Sequence, residues 1–240
     1  MKHETIYKEL AKYYDLVYHW KNYKKEAATI RKIISKYKKS NGRDLLDVAC
    51  GTANHLTYLK KYFSCTGLDI SESMLSIARK KHPKLKFYRG DMRNFNLGRK
   101  YDIIICLFSA VGHLLSYEDV KMALYTFSNH LKKNGIIIIE PFIGKKHFIR
   151  GMANMETYEG KNIKISRQAD SVVKRSIANV NLHYLISEKG KKVKYVVHGI
   201  KLNMFTPEKY LFYMKKADLD AHFLKKGLMK GRGLYIGVKN

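Results

Sequence analysis

Apolar positions fall into short continuous runs separated by stretches with helical spacing. The first run, Leu45 to Cys50, meets Gly51 and then a helical stretch from about Ala53 to Tyr62. The pattern goes on to predict a strand near Cys65–Asp69, a helix near Ser73–Lys81 and a strand at Leu85–Tyr88. A strand at Tyr101–Phe108, a helix near Glu118–Leu131 and a strand at Ile136–Glu140 follow, with Lys132 to Gly135 as the helix stop. Upstream, residues 5 to 38 read as two helices. Ile6, Leu10, Tyr13, Tyr14 and Val17 share one face of the first, and Ala27, Ile30, Ile33, Ile34 and Tyr37 one face of the second. Strands that are apolar throughout and alternate with helices imply a parallel sheet covered on both faces, an α/β fold.

The period changes after Pro141. Runs such as Ile163-Lys164-Ile165-Ser166 and Val193-Lys194-Tyr195-Val196 alternate with period two, as expected of a half-solvated antiparallel insertion of about three strands. A helix opening at Pro207, with Thr206 as N-cap, and a last strand at Leu234–Val238 close the chain.

Length and composition narrow the class. At 240 residues, with 45% apolar and 28% charged positions, the chain suits one folded domain carrying an insertion. Its longest apolar run, Ile103 to Phe108, is far short of a membrane span, so no membrane partner is expected. The opening Met1-Lys2-His3-Glu4 lacks a signal-peptide core, and a cytoplasmic location is expected. The formal charge is +27, which favours polyanionic partners, nucleic acid among them. However, the 37 Lys outnumber the 10 Arg and are spread as pairs along the chain, the pattern of a diffuse solvated surface. Cys50, Cys65 and Cys106 form no paired motif and read as reduced thiols. The histidines show no metal-ligand spacing, so no metal is expected.

The chemistry concentrates in Asp47-Val48-Ala49-Cys50-Gly51-Thr52-Ala53-Asn54, where the first strand meets the next helix. Small residues there let the backbone approach a ligand. A pyrophosphate-binding turn would want glycines where Ala49, Gly51 and Asn54 stand, and one of three fits, so a ligand without phosphates is the better match. Asp69 ends the second strand eighteen residues later, where a carboxylate can accept both hydroxyls of a ribose. Gly90-Asp91-Met92 places a further acid after the third strand.

These residues resemble the class I S-adenosylmethionine-dependent methyltransferases over about residues 40 to 142. The resemblance implies a mostly parallel seven-stranded sheet with helices on both faces and an antiparallel β insertion after the fifth strand. It divides the chain into N-terminal helices and cofactor core (1–142), insertion (143–206), and a C-terminal helix and strands completing the sheet (207–240). S-adenosylmethionine is the implied cofactor, held by Tyr14, Tyr23, Asp47, Ala49, Gly51, Asp69, Ile70, Met74, Asp91, Met92 and Leu107. Ala53 stands where that family usually has glycine.

A narrower resemblance spans nearly the whole chain. Tyr14-Asp15-Leu16-Val17-Tyr18, Gly90 to Phe95, Phe108-Ser109-Ala110-Val111-Gly112-His113-Leu114, Glu140-Pro141-Phe142 and Gly231-Arg232-Gly233-Leu234-Tyr235-Ile236-Gly237-Val238 look like the nucleotide-linked aminosugar N,N-dimethyltransferases, which act on dTDP-sugars. It implies that Tyr18 and His113 stand beside the substrate amine. Ser109, Glu140, Phe142, Arg167 and Arg232 are the residues assigned to the acceptor. Two departures are visible: the stretch between Tyr18 and Tyr23 is two residues shorter than in the family, and Phe142-Ile143 replaces an aromatic pair.

Amine methylation agrees with the residues themselves. A sulfonium carries its own driving force, so the protein must hold a neutral amine in line and take up a proton, and a histidine suits that task. A packing or capping role remains the other reading of His113, and a packing role that of Tyr18; for Glu140 an acidic lip of the pocket and a buried partner of a basic residue are both open. For Arg232, between two glycines, contact with phosphate oxygens and an ion pair at the sheet edge are both open. The insertion carries 13 basic and 4 acidic residues and is expected to cover the acceptor, with pairing between two copies of the chain as a further role. Methylation of another small-molecule acceptor is one alternative, and an RNA or DNA methyltransferase, favoured by the charge, is the other. Against it, the position after the fourth strand reads Leu107-Phe108-Ser109-Ala110, without the prolines common in enzymes acting on exocyclic base amines.

Overall fold

The computed structural model describes residues 10–149 and 154–240. Its main sheet is built from β1 (Asp44–Val48), β2 (Ser64–Asp69), β3 (Lys86–Arg89), β4 (Tyr101–Cys106), β5 (Leu131–Ile139), β10 (Leu219–Leu224) and β11 (Leu234–Lys239) in the order β10-β11-β5-β4-β1-β2-β3. β1 to β5 run parallel, and β11 is antiparallel to both β5 and β10. The order reverses between β1 and β4, so both strands point their carboxyl ends into one crevice, where open α/β sheets bind ligands.

The central strands are buried from end to end. Ile103–Cys106 pairs in register with Ile136–Ile139, and all eight residues are 0% exposed, which explains why they read as unbroken apolar runs. One face of the sheet is covered by α2 (Tyr23–Tyr37) through Ile30, Ile33 and Ile34, together with Leu56 and Leu59 of α3 (Leu56–Leu59) and Ala78 of α4 (Glu72–Lys81). The other is covered by α5 (Tyr117–Asn129) and α6 (Pro207–Lys216) through Val120, Phe127, Tyr210 and Met214.

Several expected boundaries shift. The helix expected over Ala53–Tyr62 shrinks to Leu56–Leu59, because Ala53 sits at φ 61° and Thr52 and Asn54 are tied elsewhere by their side chains. Lys132 to Gly135 is strand rather than a helix stop: α5 ends at Asn129, and β5 begins at Leu131 by pairing with Tyr101. The first N-terminal helix is a 3-10 turn, Ala11–Tyr13, continued by α1 (Tyr14–Val17); Ile6 lies outside the described residues.

The insertion forms a separate antiparallel sheet of four strands, not three, β6 (Asn154–Glu159), β7 (Ile163–Lys174), β8 (Ile177–Glu188) and β9 (Lys194–Asn203). Its inner face, Ile165, Ala178, Val180, Leu182, Tyr184 and Ile186, packs on Leu10, Tyr13 and Val17. The insertion thereby fixes α1 beside the crevice.

Candidate active site

The loop after β1 alternates left-handed residues: Ala49 (φ 57°), Gly51 (φ 56°) and Ala53 (φ 61°). Asp69, at the end of β2, holds this turn. One carboxylate oxygen accepts the Gly51 N–H at 2.8 Å, and the other accepts the Ser71 N–H at 2.8 Å. Ser71 in turn caps the helix carrying the buried Met74. Burial raises the Asp69 carboxyl above its ordinary range, opposed by the backbone donors. Burial, with the charge of Asp69 nearby, pushes Asp47 up strongly as well. A Cβ placed on Gly51 would meet nothing within 4 Å, so the loop leaves an open cradle.

This donor set fits S-adenosylmethionine. Two buried acids beside an open glycine suit ribose hydroxyls and a positive sulfonium, and they disfavour a phosphate. Ile70 is exposed next to Asp69, Leu107 is buried, and Met92 is half-buried against the main core. Asp91 is engaged by a neighbour that the sequence reading missed. Its carboxylate accepts the Arg93 N–H at 2.9 Å and pairs with the Arg93 guanidinium, which also reaches Asp119, and its pKa is held low by that arginine.

On the N-terminal side, Tyr23 opens α2 with its ring edge-on to His55 at 4.9 Å, and burial raises its hydroxyl pKa. Behind it lies a buried group absent from the sequence reading: Glu26 pairs with Lys21 and, at 2.8 Å, with His55. Burial opposes ionisation of Glu26, but these partners hold its pKa below the usual value.

On the acceptor side β4 ends in a corner where Phe108 (φ 52°) and Ser109 (φ 66°) are both left-handed. For Glu140 the sequence left open an acidic lip of the pocket and a buried partner of a basic residue. It is fully buried, and one oxygen accepts the Phe108 N–H at 2.8 Å while the other has no hydrogen-bond partner among the described residues. Burial raises its pKa, and Arg232 and Lys21 pull it back. Its bond to the Phe108 N–H holds the corner.

Arg232 stands at the same corner. Its guanidinium donates to Ser109 Oγ at 2.7 Å and lies 5.2 Å from the Phe108 ring centroid. From this corner a 3-10 turn, Ala110–His113, carries His113 along the crevice, half-buried. Asn203, at the end of β9 and unforeseen, pins that turn by donating to the carbonyls of Val111 (2.8 Å) and Leu114 (2.7 Å). Phe142 lies close by: a Cβ on Gly112 would come within 3.4 Å of it.

Tyr18 follows α1 and stands edge-on to Phe108 at 5.0 Å, with Tyr14 at 4.7 Å. Arg167, from β7, donates to the Tyr18 hydroxyl at 2.7 Å, lies 4.8 Å over its ring and pairs with Glu156 of β6. Arg167 and Tyr18 are 149 residues apart, so no local sequence signal could have joined them. The structure therefore brings Tyr18, Phe108, Ser109, Arg167 and Arg232 into one contact network, with His113 on the turn that leaves it. Lys21, buried, lies 4.3 Å over the Phe108 ring.

Comparison with known proteins agrees with this geometry. A methyltransferase domain family matches residues 45–135. The dTDP-3-amino-3,6-dideoxy-alpha-D-glucopyranose N,N-dimethyltransferase of Streptomyces fradiae is 32% identical over 233 residues, covering 96% of this chain and 91% of the relative. The dTDP-3-amino-3,4,6-trideoxy-alpha-D-glucopyranose N,N-dimethyltransferase of Streptomyces venezuelae is 33% identical, covering 94% and 95%. Among solved structures, Streptomyces venezuelae DesVI superposes with TM-score 0.90 at 32% identity over 96% of this chain and 98% of that one. The S-adenosylmethionine-bound amino pentose methyltransferase CalS10 from Micromonospora echinaspora gives TM-score 0.82 at 28% identity, covering 92% of each. The chain belongs to the family of sugar N,N-dimethyltransferases and is an S-adenosylmethionine-dependent methyltransferase.

Proposed function

We propose that this enzyme methylates the amine of a nucleotide-linked amino sugar, a dTDP-sugar by likeness to the relatives above, with Tyr18 and His113 positioning the amine. The observation that carries this reading is the Tyr18–Phe108–Ser109–Arg232 network beside the Gly51 cradle. It sets a fixed hydroxyl and a guanidinium at one crevice edge. When bound, S-adenosylmethionine supplies an electrophilic methyl group. The chain's task is then to hold a neutral amine in line, exclude water and accept the amine proton, and His113 is assigned that proton. Arg232, on Ser109 Oγ, is assigned to the anionic diphosphate. The insertion, 143–206, serves as the cover over the acceptor, which the contact from Arg167 to Tyr18 supports. Its outer face exposes Leu185, Tyr195 and Val197 at neighbouring register positions, and we assign that face to pairing between two copies, which sedimentation velocity tests. No helix among the described residues is long and apolar enough to cross a membrane.

The deciding experiment is a thermal-shift panel with S-adenosylhomocysteine present, adding dTDP, UDP, dTDP-amino sugars or a short RNA at two salt concentrations. A further rise with dTDP ligands that survives added salt is expected. A response to RNA alone, lost at higher salt, overturns the sugar reading and makes the +27 charge the relevant feature. His113→Asn is expected to keep cofactor affinity and lower turnover; loss of both makes the residue structural.

A further inference from the structure

Asp15 of α1 makes polar contacts to the cofactor loop, and neither the sequence motifs nor the site described above gave it a role. One of its carboxylate oxygens accepts the Thr52 hydroxyl at 2.6 Å and the Asn54 side-chain amide at 2.9 Å, and the other pairs with Lys81 at the end of α4. Lys81 closes the knot by donating to Asn54 Oδ1 at 2.8 Å and to the Thr52 carbonyl at 3.3 Å. Thr52 stands between the left-handed Gly51 and Ala53, so its side chain follows any change in that turn.

α1 is four residues long, too short to hold its own conformation, and its position is set by what it touches. On one side Val17 packs on the insertion sheet. On the other, Asp15 grips the loop. Tyr14 precedes Asp15, and Tyr18 follows it by one helical turn, so Asp15 sets where both rings stand relative to the loop.

We propose that Asp15 is a positioning residue that registers Tyr14 and Tyr18 to the cofactor loop, so that filling the Gly51 cradle orders the substrate-side tyrosine. This rests on the proposed place of Tyr18 beside the acceptor. The link itself concerns only the chain's response to the cofactor side. By linkage, an acceptor ordered by Tyr18 tightens the cofactor by the same factor.

The test is hydrogen–deuterium exchange with and without saturating S-adenosylhomocysteine. In wild type, exchange is expected to slow in peptides covering 49–54 and, by about tenfold, in peptides covering 14–18. In Asp15→Ala the loop peptides still slow and the 14–18 peptides do not. The double variant Asp15→Asn with Asn54→Asp, which exchanges acceptor and amide across the same contact, restores the slowing at 14–18. Should Asp15→Ala fail to fold, Asp15→Asn serves: it loses the Lys81 ion pair, and its slowing at 14–18 is expected to fall below about threefold. Wild type without slowing at 14–18, a single Asp15 variant with the full wild-type slowing, or a folded double variant without restored slowing overturns the proposal. Since no acceptor is present, a failure of the sugar assignment shows separately, as wild type that does not respond to dTDP.

Discussion

Replacing Arg167 by Met tests the join between the insertion and the catalytic core. The Arg167 side chain is 9% exposed and its partner Glu156 24%, and the guanidinium also donates to Tyr18 at 2.7 Å. A hydrogen bond to a charged group contributes about 1.5–3 kcal/mol net. Stranding the partner of a fully buried pair costs about 3–5 kcal/mol, but Glu156 retains enough exposure for water to reach it, so the lower part of that range is not attained. Met keeps most of the aliphatic volume, which leaves little cavity cost. Together these give a loss of about 2–3 kcal/mol, or roughly 5–10 °C in Tm for a chain of this size. Urea unfolding measures the loss, and a double-mutant cycle with Tyr18→Phe isolates the Arg167–Tyr18 contact, for which about 1 kcal/mol of coupling is expected. Turnover should fall about tenfold, a rise of about 1.4 kcal/mol in the barrier, while calorimetric affinity for S-adenosylhomocysteine stays unchanged. Stability effects that add within about 0.3 kcal/mol, or turnover equal to wild type, would refute the idea that Arg167 fixes the Tyr18 hydroxyl.

Asp69→Ala is expected to weaken cofactor binding by about 2 kcal/mol and also to loosen the loop, since the Gly51 and Ser71 N–H groups lose their acceptor. Unchanged affinity by calorimetry removes Asp69 from the cofactor site. Gly51→Ala puts a side chain at φ 56° with no atom within 4 Å. The folded state should lose only about 1–2 kcal/mol in chemical denaturation, while cofactor affinity falls more steeply because the cradle is filled. Glu140→Gln tests the raised carboxyl. A group whose folded pKa lies above its unfolded value loses native stability as pH rises from the unfolded pKa toward the folded one. The Tm advantage of Gln over wild type should therefore grow from about pH 4.5 upward, and a difference independent of pH excludes a raised Glu140.

The parts of the fold buried on both faces were legible in the sequence. β4 and β5 carry unbroken isoleucine runs because neither face meets water. Not every strand at a sheet margin was. β6 reads Asn-Met-Glu-Thr-Tyr-Glu, an edge strand in which Glu156 and Thr157 break the alternation a half-buried strand would show. Within the site, Asp47, Asp69 and Asp91 were legible because strand ends can be counted along the chain. The parts played by Arg93 on Asp91 and by Asn203 on the turn carrying His113 were not, since they rest on contacts that only the folded chain brings about. Glu140 shows that gap: its place at a strand end left a pocket lip and a buried partner both open, and only the fold shows it buried on the Phe108 N–H.

Backbone strain adds a physical reason for the acids to stand where they do. Among the described residues, seven other than glycine have positive φ, and four of them, Ala49, Ala53, Phe108 and Ser109, line the carboxyl edge of the sheet. Each costs about 1–2 kcal/mol for a residue with a Cβ, including Ala53 where related enzymes usually have glycine. Such strain persists only where neighbours over-determine it. Here Asp69 grips Gly51 between two strained alanines, and Glu140 grips Phe108. A buried carboxylate that holds a strained turn is itself destabilised by burial, as the raised pKa of each shows. Ligand contacts and fold stability therefore share the same residues at this edge. A ribose hydroxyl meeting Asp69 would relieve the desolvation of a charge already placed, so cofactor should raise stability least in the variants whose loosened loop binds it more weakly.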